Sequence, residues 1–386
     1  MFLPHDPNTG LSLSEELDQW RTQLDYRGPL PRAWAGRLRR DLEAEAVAAS
    51  TSMEGVPVTV EEVHRILAGD SPSQIRQEDV ALVRGYRDAM SFVLRRADDK
   101  AFRWDRELLI GLHDRILAGN LGAGAGRFRT GPAHLVDNRT GELVFQPPPP
   151  EVVPDLVDQA CSVIEGGLEH PAIGAAWIHA AVAAIHPFTD GNGRVSRVVA
   201  SLAMYRGGFK LPEFTSLEEW WGRHLPEYYA SFRCLGSAFD PNADITPFIR
   251  GHIEAQLHQV RALELRERVQ QRIWRAVEEA VGAAGLQSRV ANAVWDAFFG
   301  RSVTPRYYRP LADVSVATAT IDLAAAVAAG LLRPVGRGRS RSYQAGTTLY
   351  EKIGAGLGVP VSESGEPARG IIIGELTKRV ASLTSP

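Results

Sequence analysis

Apolar positions along most of the chain recur with helical spacing. Ala172–Ile185 (AIGAAWIHAAVAAI) is almost wholly apolar, which predicts a helix buried on all sides. Val198–Tyr205 (VVASLAMY) is again apolar and free of Gly and Pro, so a second core helix is expected. Upstream, Leu13–Leu24 reads as a short amphipathic segment. Trp34–Ser52 reads as a longer helix with Leu38, Leu42 and Ala46 on one face, ended by Gly55 and Pro57. Val60–Leu67 follows a Thr59 cap, and Asp79–Arg96 and Asp105–Leu117 are further helices.

The pattern changes at Gly122–Gly131 (GAGAGRFRTG), a loop. His134–Val136 and Glu142–Phe145 then read as two strands around the turn Asp137–Gly141, closed by the stiff Pro147–Pro150. A lone hairpin in a helical chain keeps an open edge. Phe214–Ser231 is rich in aromatics, and Ile245–Leu265 reads as a helix running on as a connector. Ser288–Phe299, Thr304–Leu311 and Ser315–Ala329 are helical, with Gly330 as a stop. Leu331–Tyr343 follows as a wing with Arg333, Arg337, Arg339 and Arg341. This order matches a winged helix-turn-helix, yet its second helix has no Lys or Arg, which supply the commonest base contacts. A packing or interaction role is therefore favoured there over DNA binding. Ile371–Leu383 reads as one helix in the tail.

A length of 386 residues predicts two or three domains, and 44% apolar residues supply sizeable cores. A net charge of −3 gives no reason to expect nucleic acid or an anionic membrane as the main partner. Two cysteines, Cys161 and Cys234, point to a reducing compartment, where they read as small buried residues. The start MFLPHDPNTG lacks the basic and apolar runs of a signal peptide, and no membrane span is expected. The cytoplasm is the expected location.

Between the two apolar helices lies His186-Pro187-Phe188-Thr189-Asp190-Gly191-Asn192-Gly193-Arg194-Val195-Ser196-Arg197. A helix opening here leaves N–H groups unpaired, with a dipole that favours an anion. Gly191 and Gly193 permit left-handed angles and close approach to a ligand. Arg194 and Arg197 are neighbours on the helix surface, so two guanidinium forks face successive phosphates. Asp190 would repel a phosphate unless a hard cation lay between them, and Mg²⁺ suits that place. His186 is placed to accept a proton near neutral pH. EF-hand, P-loop and zinc spacings all fail. A glycine-rich turn with a solvated Asp–Arg pair is the plain alternative. His113 and His179 sit in helical patterns and read as packed side chains rather than ligands.

This stretch resembles the Fic-domain signature His-Pro-Phe-x-Asp/Glu-Gly-Asn-Gly-Arg-x-x-Arg at every specified position. The resemblance implies transfer of AMP from ATP to a Ser, Thr or Tyr hydroxyl of a target protein. His186 would be the base, Asp190 the Mg²⁺ ligand, and Phe188 an inward anchor. Gly191, Asn192 and Gly193 would cradle the α- and β-phosphates, with Arg194 on the β- and Arg197 on the γ-phosphate. A related toxin subgroup with Lys in place of Gly193 phosphorylates, so Gly193 favours nucleotidyl transfer. Tyr228 or Tyr229 would line the adenine pocket. The hairpin resembles the family's flap, with Leu135, Val136 and Val144 docking a target segment as an added strand. Ser50-x-x-x-Glu54-Gly55 is similar to the inhibitory motif some Fic proteins carry on an N-terminal helix. Glu54 would then pair with Arg197 in the γ-phosphate position.

The expected architecture is mainly α: a Fic-type helical bundle with a β-hairpin flap, plus a C-terminal winged helix-turn-helix. Its parts would be an inhibitory region (1–100), a catalytic domain (101–254), a connecting helix (255–285), the winged module (286–350) and a tail (351–386). The expected partner is a target protein, with self-modification and a homodimer as further options and no membrane. The competing readings are an ATP-sensing, DNA-binding regulator, or transfer or removal of another nucleotide moiety.

Overall fold

The computed structural model describes residues 2–25, 32–67, 69, 72, 74–137, 140–211, 214, 217–338 and 341–384, without the side chains of 32–40 and 383–384. Leu38 of the expected apolar face and Arg339 of the expected wing lie outside the described side chains. The chain is mainly helical and divides into two units, Met1–Val260 and Arg261–Pro386.

In the first unit, α1 (Leu11–Asp25), α2 (Arg32–Met53), α3 (Val60–Leu67), α4 (Gln77–Arg96) and α5 (Arg106–Ile116) precede the hairpin β1 (Leu135–Val136) and β2 (Leu143–Phe145). Local chemistry sets several of these starts. Thr59 and Glu62 form a reciprocal capping box at the start of α3: the Glu62 carboxylate accepts the Thr59 N–H at 2.8 Å, and Thr59 Oγ1 accepts the Glu62 N–H at 3.2 Å. Asp105 caps α5 by accepting the Leu108 N–H at 2.8 Å. Beyond the hairpin come α6 (Val153–Gly166), α7 (Pro171–Ile185), α8 (Asn192–Arg206), α9 (Leu217–Arg223) and α10 (Leu225–Ser231). The aromatic-rich segment after α8 thus forms two short helices, with Pro226 in the first turn of the second.

The core is built around α7 and α8, which pack on each other more extensively than any other pair of elements. Every residue of α7 from Ala172 to Val182 is buried, as expected for a helix without a polar face. Its small residues (Gly174, Ala175, Ala176, Ala180, Ala181) let neighbouring backbones come close. Trp177, fully buried, donates its indole N–H to Leu3 O at 3.1 Å. Burying a large apolar side chain of this kind stabilises by about 1.5–3 kcal/mol. The α7–α8 pair therefore gives the intervening loop a rigid frame.

The expected helix from Ile245 and the expected connector at 255–285 form one helix, α11 (Thr246–Ala283), which contains no proline after Pro247. In the second unit, α12 (Ala291–Phe298), α13 (Pro305–Ala312) and α14 (Val316–Ala328) are followed by the antiparallel pair β3 (Leu332–Val335) and β4 (Ser342–Ala345). The axes of α13 and α14 differ by 104°, with Asp313 in the left-handed region between them. Asp322 ties this unit together. It accepts a two-pronged ion pair from Arg289 at 2.7 and 3.0 Å and a hydrogen bond from Tyr308 at 3.0 Å. The tail folds as α15 (Leu349–Gly356) and α16 (Gly365–Thr384), with Ile353, Ala368, Ile372, Leu376 and Val380 buried. Among the described residues no single helix is long and apolar enough to cross a membrane.

Candidate active site

Helix α7 ends where His186 turns into the left-handed region (φ 50°, ψ 60°) while its N–H still bonds Val182 O at 3.0 Å. A non-glycine residue held there is uncommon and needs support from its surroundings. Pro187 cannot continue the helix, and Phe188, fully buried, fastens the loop to the core. Asn192 closes that fastening. Its side-chain oxygen accepts the Phe188 N–H at 2.9 Å and its amide donates to Phe188 O at 2.8 Å. The Asn192 side chain is thus spent on the loop, and only its backbone is left for a phosphate.

Gly191 adopts φ 79°, and α8 starts immediately after it. Gly193 differs from the sequence expectation, because it lies inside α8 with helical angles. What it supplies is room: a Cβ there would fall 2.3 Å from Glu54 Oε1. Over this hollow stand the two arginines, both 3% exposed. Arg194 donates to both Asp190 oxygens at 3.1 and 3.2 Å, while its Nε is buried without a partner. Arg197 is more fully held. Its Nε donates to Ser50 Oγ at 3.0 Å and its Nη2 to Ser50 O at 3.2 Å. Nη2 also reaches Glu54 Oε1 at 2.8 Å, and Nη1 reaches the Tyr228 hydroxyl at 3.3 Å. Ser50 and Glu54 sit in the last turn of α2 and just beyond it, where the helix dipole favours a cation.

Of the tyrosine doublet expected to supply an adenine-pocket wall, one side chain is buried and the other exposed. Tyr228 is buried behind Arg197 and also bonds His179 Nε2 at 3.2 Å, so it steadies the guanidinium rather than walling a cleft. Burial pushes its phenol up to about 12, which keeps it neutral. Tyr229 is 57% exposed and reaches Met53 O at 3.4 Å. Of the hairpin residues, Val136, Leu143 and Val144 are exposed, and Leu135 is half-buried. Gln146, just past β2, bonds Ser237 and Phe239 through its backbone; among the described residues no third strand pairs with β1.

Burial pushes His186 down to about 4, with the Ala183 carbonyl raising it, the nearby Arg129 charge lowering it, and Glu54 and Asp190 raising it. The imidazole is therefore neutral at pH 7, the form a general base requires. Two residues support this loop: His113, expected from the sequence only as a packed side chain, and Arg129, for which no role was expected. His113 stacks on Phe188 (centroids 3.8 Å apart), accepts the Gly126 N–H at Nδ1, and donates from Nε2 to Asp190 O at 2.9 Å. Arg129 donates from Nε to His186 O at 2.8 Å. The helical pattern around His113 predicts its burial but not its link to this loop, and only the Gly-Arg-Phe-Arg run marks the segment of Arg129.

Residues 103–204, which hold this whole loop, match the Fic/DOC family. The chain carries a Fic domain. It is 31% identical over 158 residues to a protein adenylyltransferase fic-1 of Caenorhabditis briggsae, covering 39% of this chain and 27% of that one. It is 30% identical over 174 residues to a protein adenylyltransferase Fic of Nematostella vectensis, covering 44% and 36%. The chain thus spans well under half the length of these curated relatives. A Fic family protein from Desulfovibrio desulfuricans G20 shares the fold with TM-score 0.55 and 21% identity, covering 89% of this chain and 98% of that one. Fic-1 (residues 134–508) of Caenorhabditis elegans does so with TM-score 0.52 and 21% identity, covering 65% and 71%.

Proposed function

We propose that the Fic domain transfers AMP from ATP to a hydroxyl side chain of a protein and that Glu54 holds it in a resting state. The observation that carries this reading is an anion already seated in the hollow. The Glu54 carboxylate lies 2.8 Å from Arg197 and against the α-carbon of Gly193, and its oxygens stand in for those of a terminal phosphate. The unpartnered Nε of Arg194, one helical step away, is a second donor awaiting an acceptor.

In this reaction neutral His186 takes the proton of the target hydroxyl as its oxygen attacks the α-phosphorus. The bond to the β-phosphate oxygen breaks, and pyrophosphate leaves. Arg194 and Arg197 neutralise the charge that gathers on the leaving group, and rigid placement by α7 and α8 supplies the alignment. Asp190 fits Mg²⁺, since its carboxylate is exposed beside the cradle and such an ion takes one or two carboxylates plus phosphate oxygens. When bound, the ion supplies further neutralisation of the phosphates. The exposed Val136 and Val144 support docking of an extended target segment on the hairpin.

The second unit reads as a winged helix-turn-helix on α13, α14 and the β3–β4 wing. The exposed side of α14 carries Val316, Ala317, Thr320, Ile321 and Ala324, without a basic residue, which favours a protein-contact role over DNA. Free thiols at Cys161 and Cys234 suit the cytoplasm. His186→Ala tests the chemistry. Nucleotide should still bind by calorimetry while transfer stops; undiminished transfer removes His186 as the base.

A further inference from the structure

Arg129 is 5% exposed; the Glu151 charge acts on it from nearby, but its own hydrogen bonds go elsewhere. Every bond its side chain makes runs to a backbone carbonyl. Nε donates to His186 O at 2.8 Å, and Nη1 to Gly131 O at 3.0 Å. Nη2 is shared between Pro148 O and Ile185 O, the latter at 3.5 Å. Its own backbone N–H adds a bond to Pro187 O at 2.9 Å. These acceptors belong to two separate pieces of structure. Ile185, His186 and Pro187 form the end of α7 and the catalytic turn. Gly131 and Pro148 are the two feet of the β1–β2 hairpin.

The arrangement has a physical cause. The last carbonyls of a helix have no partner within it, and the dipole there attracts a cation. Proline at 187 and at 147–150 removes backbone N–H groups from both places. One planar guanidinium with five donors reaches all of them, whereas an ammonium on a flexible stem cannot match that fork. Burial of the charge lowers Arg129 from its usual value and the Glu151 charge works against that, while the four carbonyls supply the hydrogen bonds a buried guanidinium needs.

We infer that Arg129 is a positioning residue that fixes the hairpin, and whatever segment docks on it, at a set distance from His186. This rests on the transfer reaction proposed above. Arg129 touches no residue of the phosphate cradle from Gly191 to Arg197, so it should govern turnover rather than nucleotide binding. The charged and titratable groups around His186 are Arg129, Glu54 and Asp190, and only Arg129 also bonds the hairpin.

The experiment uses the full chain with Glu54→Gly, alone and combined with Arg129→Lys or Arg129→Gln. ATP affinity is read by calorimetry, AMP transfer by kcat and KM, and amide hydrogen exchange across 131–148 and α8. Arg129→Lys should leave ATP affinity within about twofold, lower kcat about a hundredfold, and speed exchange in the hairpin but not in α8. Arg129→Gln should do the same. Unchanged kcat in both variants, or exchange accelerated equally in hairpin and α8, overturns the positioning role. If the Glu54→Gly parent transfers no AMP, the reaction assignment fails instead. Hairpin exchange then still decides the tether, with faster exchange upholding it and unchanged exchange refuting it.

Discussion

Replacing Glu54 by glycine removes one charged partner from a guanidinium that is itself nearly inaccessible. The bond lost is a charge-assisted one of 2.8 Å to Arg197, with Glu54 at 23% side-chain exposure. Hydrogen bonds to charged groups contribute about 1.5–3 kcal/mol. Arg197 keeps Ser50 Oγ, Ser50 O and the Tyr228 hydroxyl, so it is not orphaned, and the lower part of that range applies. In the resting state proposed above, a terminal phosphate would compete with the Glu54 carboxylate for Nη2, so ATP would have to displace the carboxylate to bind productively. A loss of about 1.5–2 kcal/mol of that competition should tighten ATP by roughly 10- to 30-fold. AMP, without the distal phosphates, should gain little. The same variant should unfold more easily than the parent when free of nucleotide and recover on adding ATP. Calorimetric titration with ATP and AMP, with thermal unfolding in parallel, measures all of this. Equal affinity for ATP in parent and variant, or an equal gain for AMP, would refute the competition at Arg197.

Gly193→Ala places a methyl group against the tip of the Glu54 side chain, so its effect on stability should be less favourable in the parent than in a Glu54→Gly background, by about 1 kcal/mol; equal effects in denaturant unfolding contradict the steric coupling. Acid should weaken the first unit. His186 and His252 are held down to about 4 and about 3 by burial, and His179 well below its ordinary value. All three titrate near 6.5 once unfolded, so the unfolded chain binds more protons below that pH. Their contribution is full above about 6.5 and lost as pH falls towards 4. Glu218, raised by burial, works the other way with one proton. Unfolding midpoints that stay level from pH 7 to 4.5 would contradict this. Val136→Asp puts a charge on the exposed hairpin face and should abolish transfer to a protein target without changing ATP affinity; unaffected transfer removes the docking role.

Local signals carried much of the architecture. Ala172–Ile185 reads as buried on every side because it has no polar face, and α7 is buried along its length. The capping pair Thr59 and Glu62 sets the start of α3 through contacts three residues apart. The motif told which residues share the loop, because they are contiguous. Long-range roles were not legible. Arg129 and His113 reach the 186–190 turn from 57 and 77 residues away, and nothing in their own neighbourhoods announces it. Gly193 looked like a turn glycine, and only the approach of Glu54 from α2 shows that it is needed for space. Tyr228 and Tyr229 were indistinguishable as a doublet; helical geometry turns one inward onto Arg197 and the other outward. In the tail, the helix expected at Ile371–Leu383 lies within the longer α16, while the Gly-interrupted stretch before it gives no sign of α15.

The central claim is that the hollow beside His186 seats a triphosphate with its α-phosphate presented to a hydroxyl. Incubating the Glu54→Gly chain and candidate protein acceptors with Mg²⁺ and ATP labelled at either the α- or the γ-phosphate tests it directly. The account predicts protein-bound label from α-labelled ATP, none from γ-labelled ATP, and none from either when His186→Ala is added. Label arriving from the γ-phosphate, or α-label that persists without His186, would contradict it.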